Sequence, residues 1–282
     1  MQSSEISVAL AVYVAMSAGV ADFMAARLAR RLPATVVAAL VQTLGLIVIA
    51  GAFVVIGGGR PSRIDLLLSI LAGASIAIGI TALYRCLAIG PIGITAPVAA
   101  VAGAGFPVLA AAAIGDVLTP VQNLGLLLGL IAVGLMSYES NRVPRTPRST
   151  SGIVIALLAG LGIGGFEIFL NATSDDAGQW PVLISRAVAA ACLWIAVART
   201  RAVQPVARTD WRLLLPCALL DGTAMVALLL ALRSGELSIV AVLTAFYPAA
   251  TLTLAMLIDR ERLQTLQWVG LFAAAAAISL II

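Results

Sequence analysis

Long apolar stretches separated by short polar connections run through the whole chain. A stretch of about 20 apolar residues is what a helix needs to span the hydrocarbon core of a bilayer. The pattern predicts ten such helices, at residues 6–26, 34–56, 66–88, 92–114, 120–138, 151–172, 181–198, 213–232, 238–258 and 264–282. It therefore predicts an all-α integral membrane protein.

The second half of the chain repeats the first with a constant shift of 145 residues. We call two residues related by this shift repeat equivalents; they include Gly19 and Gly164, Asp22 and Glu167, Asp65 and Asp210, and Asp116 and Glu261. Each copy holds five spans, which is an odd number, so the second copy enters the membrane from the opposite side and the pair forms an inverted-topology repeat. We predict a first repeat at 1–138, a polar linker at 139–150 and a second repeat at 151–282.

The composition excludes several classes of protein. With 62% hydrophobic and 11% charged residues and a mean hydropathy of +1.10, the chain has too little polar surface for a soluble globule. It has no His, and its three Cys lie apart in apolar runs, so we expect neither a disulfide framework nor a metal site. It has no GxxxxGK[ST] phosphate loop, and we expect no cofactor and no enzymatic activity.

The basic residues suggest an orientation. All 17 are Arg; 13 lie on the connections that follow odd-numbered spans and 4 on the opposite side. The positive-inside rule makes the richer side cytoplasmic and places both termini outside. Because the Arg residues are scattered over short connections, they do not form a nucleic-acid-binding face.

Asp221 is the clearest candidate for a functional charge, because it lies about eight residues inside the eighth span. A charge inside a bilayer needs a partner, water or a function. Arg186, five residues into the seventh span, is its expected ion-pair partner, unless its long side chain reaches the membrane surface instead. We interpret Asp221 as facing a polar cavity; the alternative is an eighth helix that begins later.

Asp22 and Glu167 are repeat equivalents near the ends of their spans. In an inverted repeat these two carboxylates lie towards opposite membrane faces, where they are suited to gating or to coupling with protons. The alternative interpretation is that each only marks the end of a helix.

Proline and glycine are predicted to interrupt the fourth and ninth spans. Broken helices in corresponding positions of both halves indicate a substrate site near the bilayer midplane. The interrupting residues are Pro97, Gly103, Gly105, Pro107 and Pro248. The polar residues that we add to the substrate site, each otherwise a packing residue, are Gln42, Tyr84, Thr244 and Tyr247. Asp116 and Glu261 are interpreted as structural partners of the helix dipoles of spans five and ten.

Two further motifs concern helix ends and helix contacts. The run Thr119-Pro120-Val121-Gln122 has the pattern of a capping box, which predicts the start of the fifth span. Gly125 with Gly129, and Gly160 with Gly164, form small-residue faces that predict close helix contacts. The first of these faces either packs within the chain or joins two copies.

The segments GFPVLAAAAIGDVLTPVQNLG and PAATLTLAMLIDRERLQTLQWVG, together with GVADFMAARLARRLPA, ALYRCLAIGPIGITAPVAAV and DAGQWPVLISR, resemble EamA-type permeases of the drug/metabolite transporter superfamily. The resemblance covers essentially the whole chain. It implies two inverted bundles around a central cavity, with spans five and ten outside, and it implies cytoplasmic termini, contrary to the Arg distribution. The chain departs from the family pattern at Arg260, where a glycine is usual, and at Asp116, where Glu is usual. Met16 and Ser17 stand where small multidrug exporters carry a Glu, so their proton exchange is not implied.

The preferred function is secondary transport. The chain is interpreted as an exporter of a small organic solute, such as an amino-acid-like metabolite or a drug-like amphiphile, in the bacterial cytoplasmic membrane. It is expected to work by alternating access, with protons as a candidate coupling ion through Asp22, Glu167 or Asp221. The alternatives are a subunit of a lipid-carrier flippase, with Arg186 or Arg85 facing a phosphate, and a non-transporting membrane scaffold.

Overall fold

The computed structural model describes residues 2–57, 59–89, 92–116, 118–138, 150–201, 205–260 and 262–281; within these ranges it describes only the backbone of 2–4, 84–89, 92–97, 150 and 151. The predicted linker therefore lies almost wholly outside the described residues. The described elements are α-helices and one short 3-10 helix at Asp175–Ala177. The α-helices are α1 (Gln2–Ala29), α2 (Ala34–Ile56), α3 (Arg63–Ile89), α4 (Ile92–Ile114), α5 (Pro120–Met136), α6 (Thr150–Asn171), α7 (Trp180–Thr200), α8 (Trp211–Ser234), α9 (Leu237–Thr244), α10 (Tyr247–Ile258) and α11 (Thr265–Ile281).

Each predicted span coincides with one helix to within a few residues, except the ninth, which coincides with α9 and α10, because the length of an apolar run determines where a helix can cross. Seven helices of the described chain are long and apolar enough to span a membrane, counting α9 and α10 as one, and Val98–Ile114, Pro120–Met136 and Thr265–Ile281 are shorter apolar helices. Together with the composition, this makes the chain an integral membrane protein.

The ninth predicted span is broken, as expected. Ala245 and Phe246 separate α9 from α10, and Pro248 lies in the first turn of α10. Proline costs nothing there, because the first amides of a helix have no intrahelical acceptor.

The predicted interruption of the fourth span is wrong. α4 is one continuous helix that includes Pro97 and Pro107. A Cβ on Gly164 of α6 would lie 2.7 Å from the carbonyl oxygen of Gly103 and 2.7 Å from Cδ of Pro107. Gly103 and Pro107 therefore provide the close contact between α4 and α6, and this packing supports a proline inside a continuous helix.

The two repeats interlock across the bundle. Most of the principal contacts come in pairs, and the repeat shift relates the two contacts of a pair. The contact of α1 with α8 corresponds to that of α6 with α3, the contact of α1 with α10 to that of α6 with α4, and the contact of α2 with α8 to that of α7 with α3. In two other contacts, that of α2 with α7 and that of α5 with α11, the two helices are related to each other by the repeat shift. The described helices of the first repeat thus pack mainly against those of the second, in an arrangement of two-fold character.

The helices α5 and α11 pack closely together through glycine. A Cβ on Gly125 would lie 2.9 Å from the side chain of Ile281, and one on Gly270 would lie 2.8 Å from Met136. Gly129 faces the side chain of Val242. The face formed by Gly125 and Gly129 is therefore filled within the chain. The predicted capping box is present, since the Gln122 amide donates to Oγ1 of Thr119 at 3.2 Å and the Thr119 amide donates to Oε1 of Gln122 at 3.0 Å.

Candidate functional site

Arg186 and Asp221 form an ion pair inside the helix bundle. Nη2 of Arg186, whose side chain is 5% exposed, contacts Oδ2 of Asp221, whose side chain is 23% exposed. The two residues lie in the interior of α7 and α8, two of the candidate membrane spans. The partnership predicted from the sequence is confirmed, and it neutralises two charges that would each be costly alone in a bilayer.

The α2 helix provides the space for the guanidinium. A Cβ on Gly45 would collide with Nη2 of Arg186, so the guanidinium can keep this position only while residue 45 is glycine. The same nitrogen donates to the carbonyl oxygen of Val41 at 3.5 Å. Arg186 thus joins α7 to both α2 and α8.

The ion pair borders a cavity of about 100 Å³. Its polar wall is formed by Gln42, Ser185, Arg186 and Asp221, and its apolar wall by Ile76, Ile80, Phe166, Val182, Ala189 and Met225. Within the described part of the chain, Oε1 of Gln42 and Nε of Arg186 have no hydrogen-bond partner, although both atoms are buried. Such atoms are rare in folded proteins, because each costs the free energy of its lost hydration.

The two repeats contribute chemically different residues to the cavity at equivalent positions. The repeat equivalent of Asp221 is Ile76, which lines the same cavity, and that of Arg186 is Val41, whose carbonyl oxygen Arg186 contacts. The ion pair therefore exists in one copy only. The second repeat carries two charged residues at positions that are apolar in the first repeat.

A second polar contact lies at the break between α9 and α10. Thr244, the last residue of α9, donates from Oγ1 to Oε1 of Glu167 at 3.1 Å. The other carboxylate oxygen of Glu167 has no partner among the described residues. Glu167 directly follows Phe166, which lines the cavity. The sequence predicted both residues as candidates, but not that they bind each other.

The second repeat matches a known protein family. The model of the EamA-like transporter family matches residues 150–282. The second repeat belongs to the EamA-like transporter family. This confirms the resemblance to the drug/metabolite transporter superfamily, and a transporter family implies a small-molecule substrate.

The fold recurs in solved structures, of which 24 chains match. One of them, described as "Crystal structure of protein", superposes with a TM-score of 0.77 at 15% identity, covering 97% of this chain and 96% of that chain. At this identity the likeness shows the fold alone. No curated protein matches the chain in sequence.

Not all predicted site residues meet at the cavity. Gln42, Arg186 and Asp221 line it together. Asp22, Tyr247 and Pro248 are outside the described lining; a Cβ on Gly19 would collide with the carbonyl oxygen of Tyr247, which shows that this end of α10 packs against α1. The side chains of Tyr84 and Pro97, and the whole of Glu261, lie outside the described residues.

Three residues of the site were not predicted from the sequence: Gly45, Ile76 and Phe166. Ile76 had a usable signal, because it is the repeat equivalent of Asp221. Gly45 and Phe166 had none, since small or apolar residues are common in every span.

Asp116 has the predicted structural role but serves a different helix. Its Oδ2 accepts from the amide of Ser238 at 3.2 Å and from Oγ of Ser238 at 2.8 Å. It thus satisfies the start of α9, not that of the fifth span, because the interlocked repeats bring the two loops together. Partial burial of the carboxyl, and then the neighbouring Asp116, raises the pKa of Glu236, an exposed residue that lies just before α9.

Proposed function

We propose that this chain is a secondary transporter, an exporter of small organic solutes in the bacterial cytoplasmic membrane, that works by alternating access around the Arg186–Asp221 cavity. The observation that carries the proposal is a buried ion pair beside unpartnered polar atoms in an apolar bundle. A charge near the bilayer centre costs between about 3 and 10 kcal/mol. A charged pair at that depth therefore indicates a function, and contact with a polar solute is the function that we assign to it.

The contacts between connections support ten spans in an inverted repeat. If every span crosses, the connections after odd-numbered spans share one membrane face, and the other connections share the opposite face. On the odd side, Arg31 donates to Asp210 at 3.1 Å and Arg27 lies 3.6 Å from Asp259. On the even side, the Ser174 amide donates to Asp65 at 2.7 Å, and the Ser238 amide donates to Asp116. Each of these contacts joins two connections of the same set.

The interlocked packing suggests which parts move. The first group consists of α1, α2, α8, α9 and α10. The second group consists of their repeat equivalents, α6, α7, α3 and α4. Gln42 and Asp221 belong to the first group, and Arg186, Ile76 and Phe166 to the second. We therefore assign alternating access to these mixed groups, and the ion pair bridges them across the cavity.

The experiment is flux in proteoliposomes with a panel of metabolites, with and without a pH gradient, and with solute loaded on either side to give the direction. Asp221→Asn should reduce flux at least about tenfold, and Glu167→Gln should reduce the flux that a pH gradient drives, while both variants still insert, because charges buried in the bilayer are functional by default. Unchanged flux in both variants would contradict the proposal. If the natural chain transports no solute of the panel, the result favours the non-transporting scaffold.

The flippase alternative receives less support. It needs an Arg free to face a phosphate at a lateral opening. Arg186 is buried and held by Asp221, and the side chain of Arg85 lies outside the described residues.

A further inference from the structure

The two charges on the cavity wall cancel, and this constrains what the cavity can bind. Arg186 and Asp221 are the charged residues of the described lining, and each is the other's partner. An anionic solute would have to draw the guanidinium away from Asp221, and a cationic solute would have to draw Asp221 away from Arg186. Either event leaves a buried charge without a partner, which costs several kcal/mol.

Two unpartnered atoms belong to residues of the polar wall, and because both atoms are buried a ligand reaches them only when these side chains turn towards the cavity. Oε1 of Gln42, a residue that is 6% exposed, is an acceptor and needs a donor. Nε of Arg186 is a donor and needs an acceptor. A group that donates and accepts at once, such as a primary amide or the ammonium and carboxylate ends of a zwitterion, satisfies both atoms together.

The apolar residues of the cavity lining define the other end of the ligand. Ile76, Ile80 and Phe166 present aliphatic and aromatic surface to the cavity and offer no side-chain hydrogen bond. The polar residues come from α2, α7 and α8, whereas the lining residues that α3 and α6 contribute are all apolar. A ligand with one polar and one apolar end therefore has a single favourable orientation.

We infer, on the basis of the proposed transport function, that the cavity selects solutes of zero net charge with a donor-and-acceptor group at one end and an apolar group at the other. Charged analogues of the same size are excluded because the ion pair is closed, not because the cavity lacks charge.

The test uses four probes that share the isobutyl group: 3-methylbutanamide, leucine, 3-methylbutanoate and 3-methylbutylammonium. Dissociation constants are measured by titration calorimetry on the purified full chain, and flux is measured in proteoliposomes. The natural chain should bind the amide and leucine at least about tenfold more tightly than the anion and the cation, since an unpaired buried charge costs more than the 1.4 kcal/mol of one factor of ten.

Substitutions of the pair should change the preferred charge in opposite directions. Asp221→Asn leaves Arg186 unpaired and should favour 3-methylbutanoate, whereas Arg186→Gln leaves Asp221 unpaired and should favour 3-methylbutylammonium. The double variant should return to a preference for the neutral probes, which distinguishes a change of selectivity from loss of folding. Gly51→Ala is the control, because a Cβ on Gly51 meets nothing within 4 Å.

The outcomes separate the two proposals. Equal binding of the anion or the cation and the amide by the natural chain, or binding of none of the four probes, overturns the inference. Binding of the neutral probes without flux of any of them upholds the selectivity and overturns transport. A preference that the single variants do not shift shows that the ion pair does not set selectivity, and it also overturns the inference.

Discussion

Asp65 and Asp210 are repeat equivalents, and each carboxylate holds the connection that follows the first helix of the other repeat. Asp65 is 3% exposed and accepts from the amide and the hydroxyl of Ser174, at 2.7 Å and 2.9 Å, and from the amide of Ser62 at 2.8 Å. Asp210 is 4% exposed and accepts from Nη1 of Arg31 at 3.1 Å. The duplication has kept the carboxylate and changed its partners.

Because the partners differ, substitutions of Asp65 and Asp210 should lower the free energy of unfolding by different amounts. Asp65→Ala removes three hydrogen bonds to a buried carboxylate and part of the N-terminal cap of α3, and should lower the free energy of unfolding by about 2–4 kcal/mol. Asp210→Ala removes one ion pair whose Arg31 side chain is 65% exposed. It should cost about 1 kcal/mol or less. Unfolding in detergent, followed by Trp fluorescence, checks the order; equal losses would contradict it.

The bounds of the helices were predictable because the length of an apolar run is a direct property of the sequence. The partnership of Arg186 with Asp221 was predictable for a related reason, since a charge inside a bilayer requires a partner and few are available. In both cases one local rule is enough.

The packing of the helices was not predictable in the same way. Apolar residues face both lipid and protein, so the pattern does not say which face of a span contacts another helix. The break expected at Pro97 and Pro107 failed for this reason, because the contact of α4 with Gly164 supports a continuous helix. Asp116 was assigned to its neighbour in sequence, whereas the interlocked repeats present it to α9.

Gly45→Ala should reduce flux by about tenfold or more, since displacing a binding group by about 1 Å is costly. The new Cβ would collide with Nη2 of Arg186 and push the guanidinium away from Asp221 and the cavity. Gly51→Ala, in an open position of the same helix, should transport as the natural chain does. Adding Arg186→Lys to Gly45→Ala removes the colliding nitrogen and should restore part of the flux. Normal flux in Gly45→Ala would show that the guanidinium position is not important.

Glu167→Gln should separate solute movement from proton movement. Glu167 is bonded to Thr244 through one oxygen and has a second oxygen without a partner in the described chain, so it has a free position for a proton. Glutamine keeps the bond from Thr244 but cannot titrate. Solute exchange between the two sides of the vesicle should persist, whereas stimulation of flux by a pH gradient should disappear. Persisting stimulation in this variant, together with its loss in Asp22→Asn, would assign the coupling to Asp22 instead.

Glu236→Gln should change how stability depends on pH. Partial burial and the neighbouring Asp116 raise the pKa of Glu236 above its ordinary value of 4.5, so the folded protein binds this proton more tightly than the unfolded chain does. Its contribution to stability is complete below the unfolded pKa and is lost as pH rises through the folded pKa. The Gln variant does not titrate and should be more stable than the natural chain at pH 8, relative to the difference between them at pH 4.

The neighbouring carboxylate provides the control for that measurement. Asp116→Asn should destabilise the protein at every pH, because it weakens the hydrogen bonds that Ser238 donates at the start of α9. In the Asp116→Asn background, however, Glu236 no longer faces a negative charge, so the pH-dependent gain from Glu236→Gln should shrink. Unfolding midpoints from pH 4 to pH 8 for the natural chain, the two single variants and the double variant measure this difference. An undiminished gain in the Asp116→Asn background would mean that burial alone sets the pKa of Glu236, and that Asp116 acts only as the cap of α9.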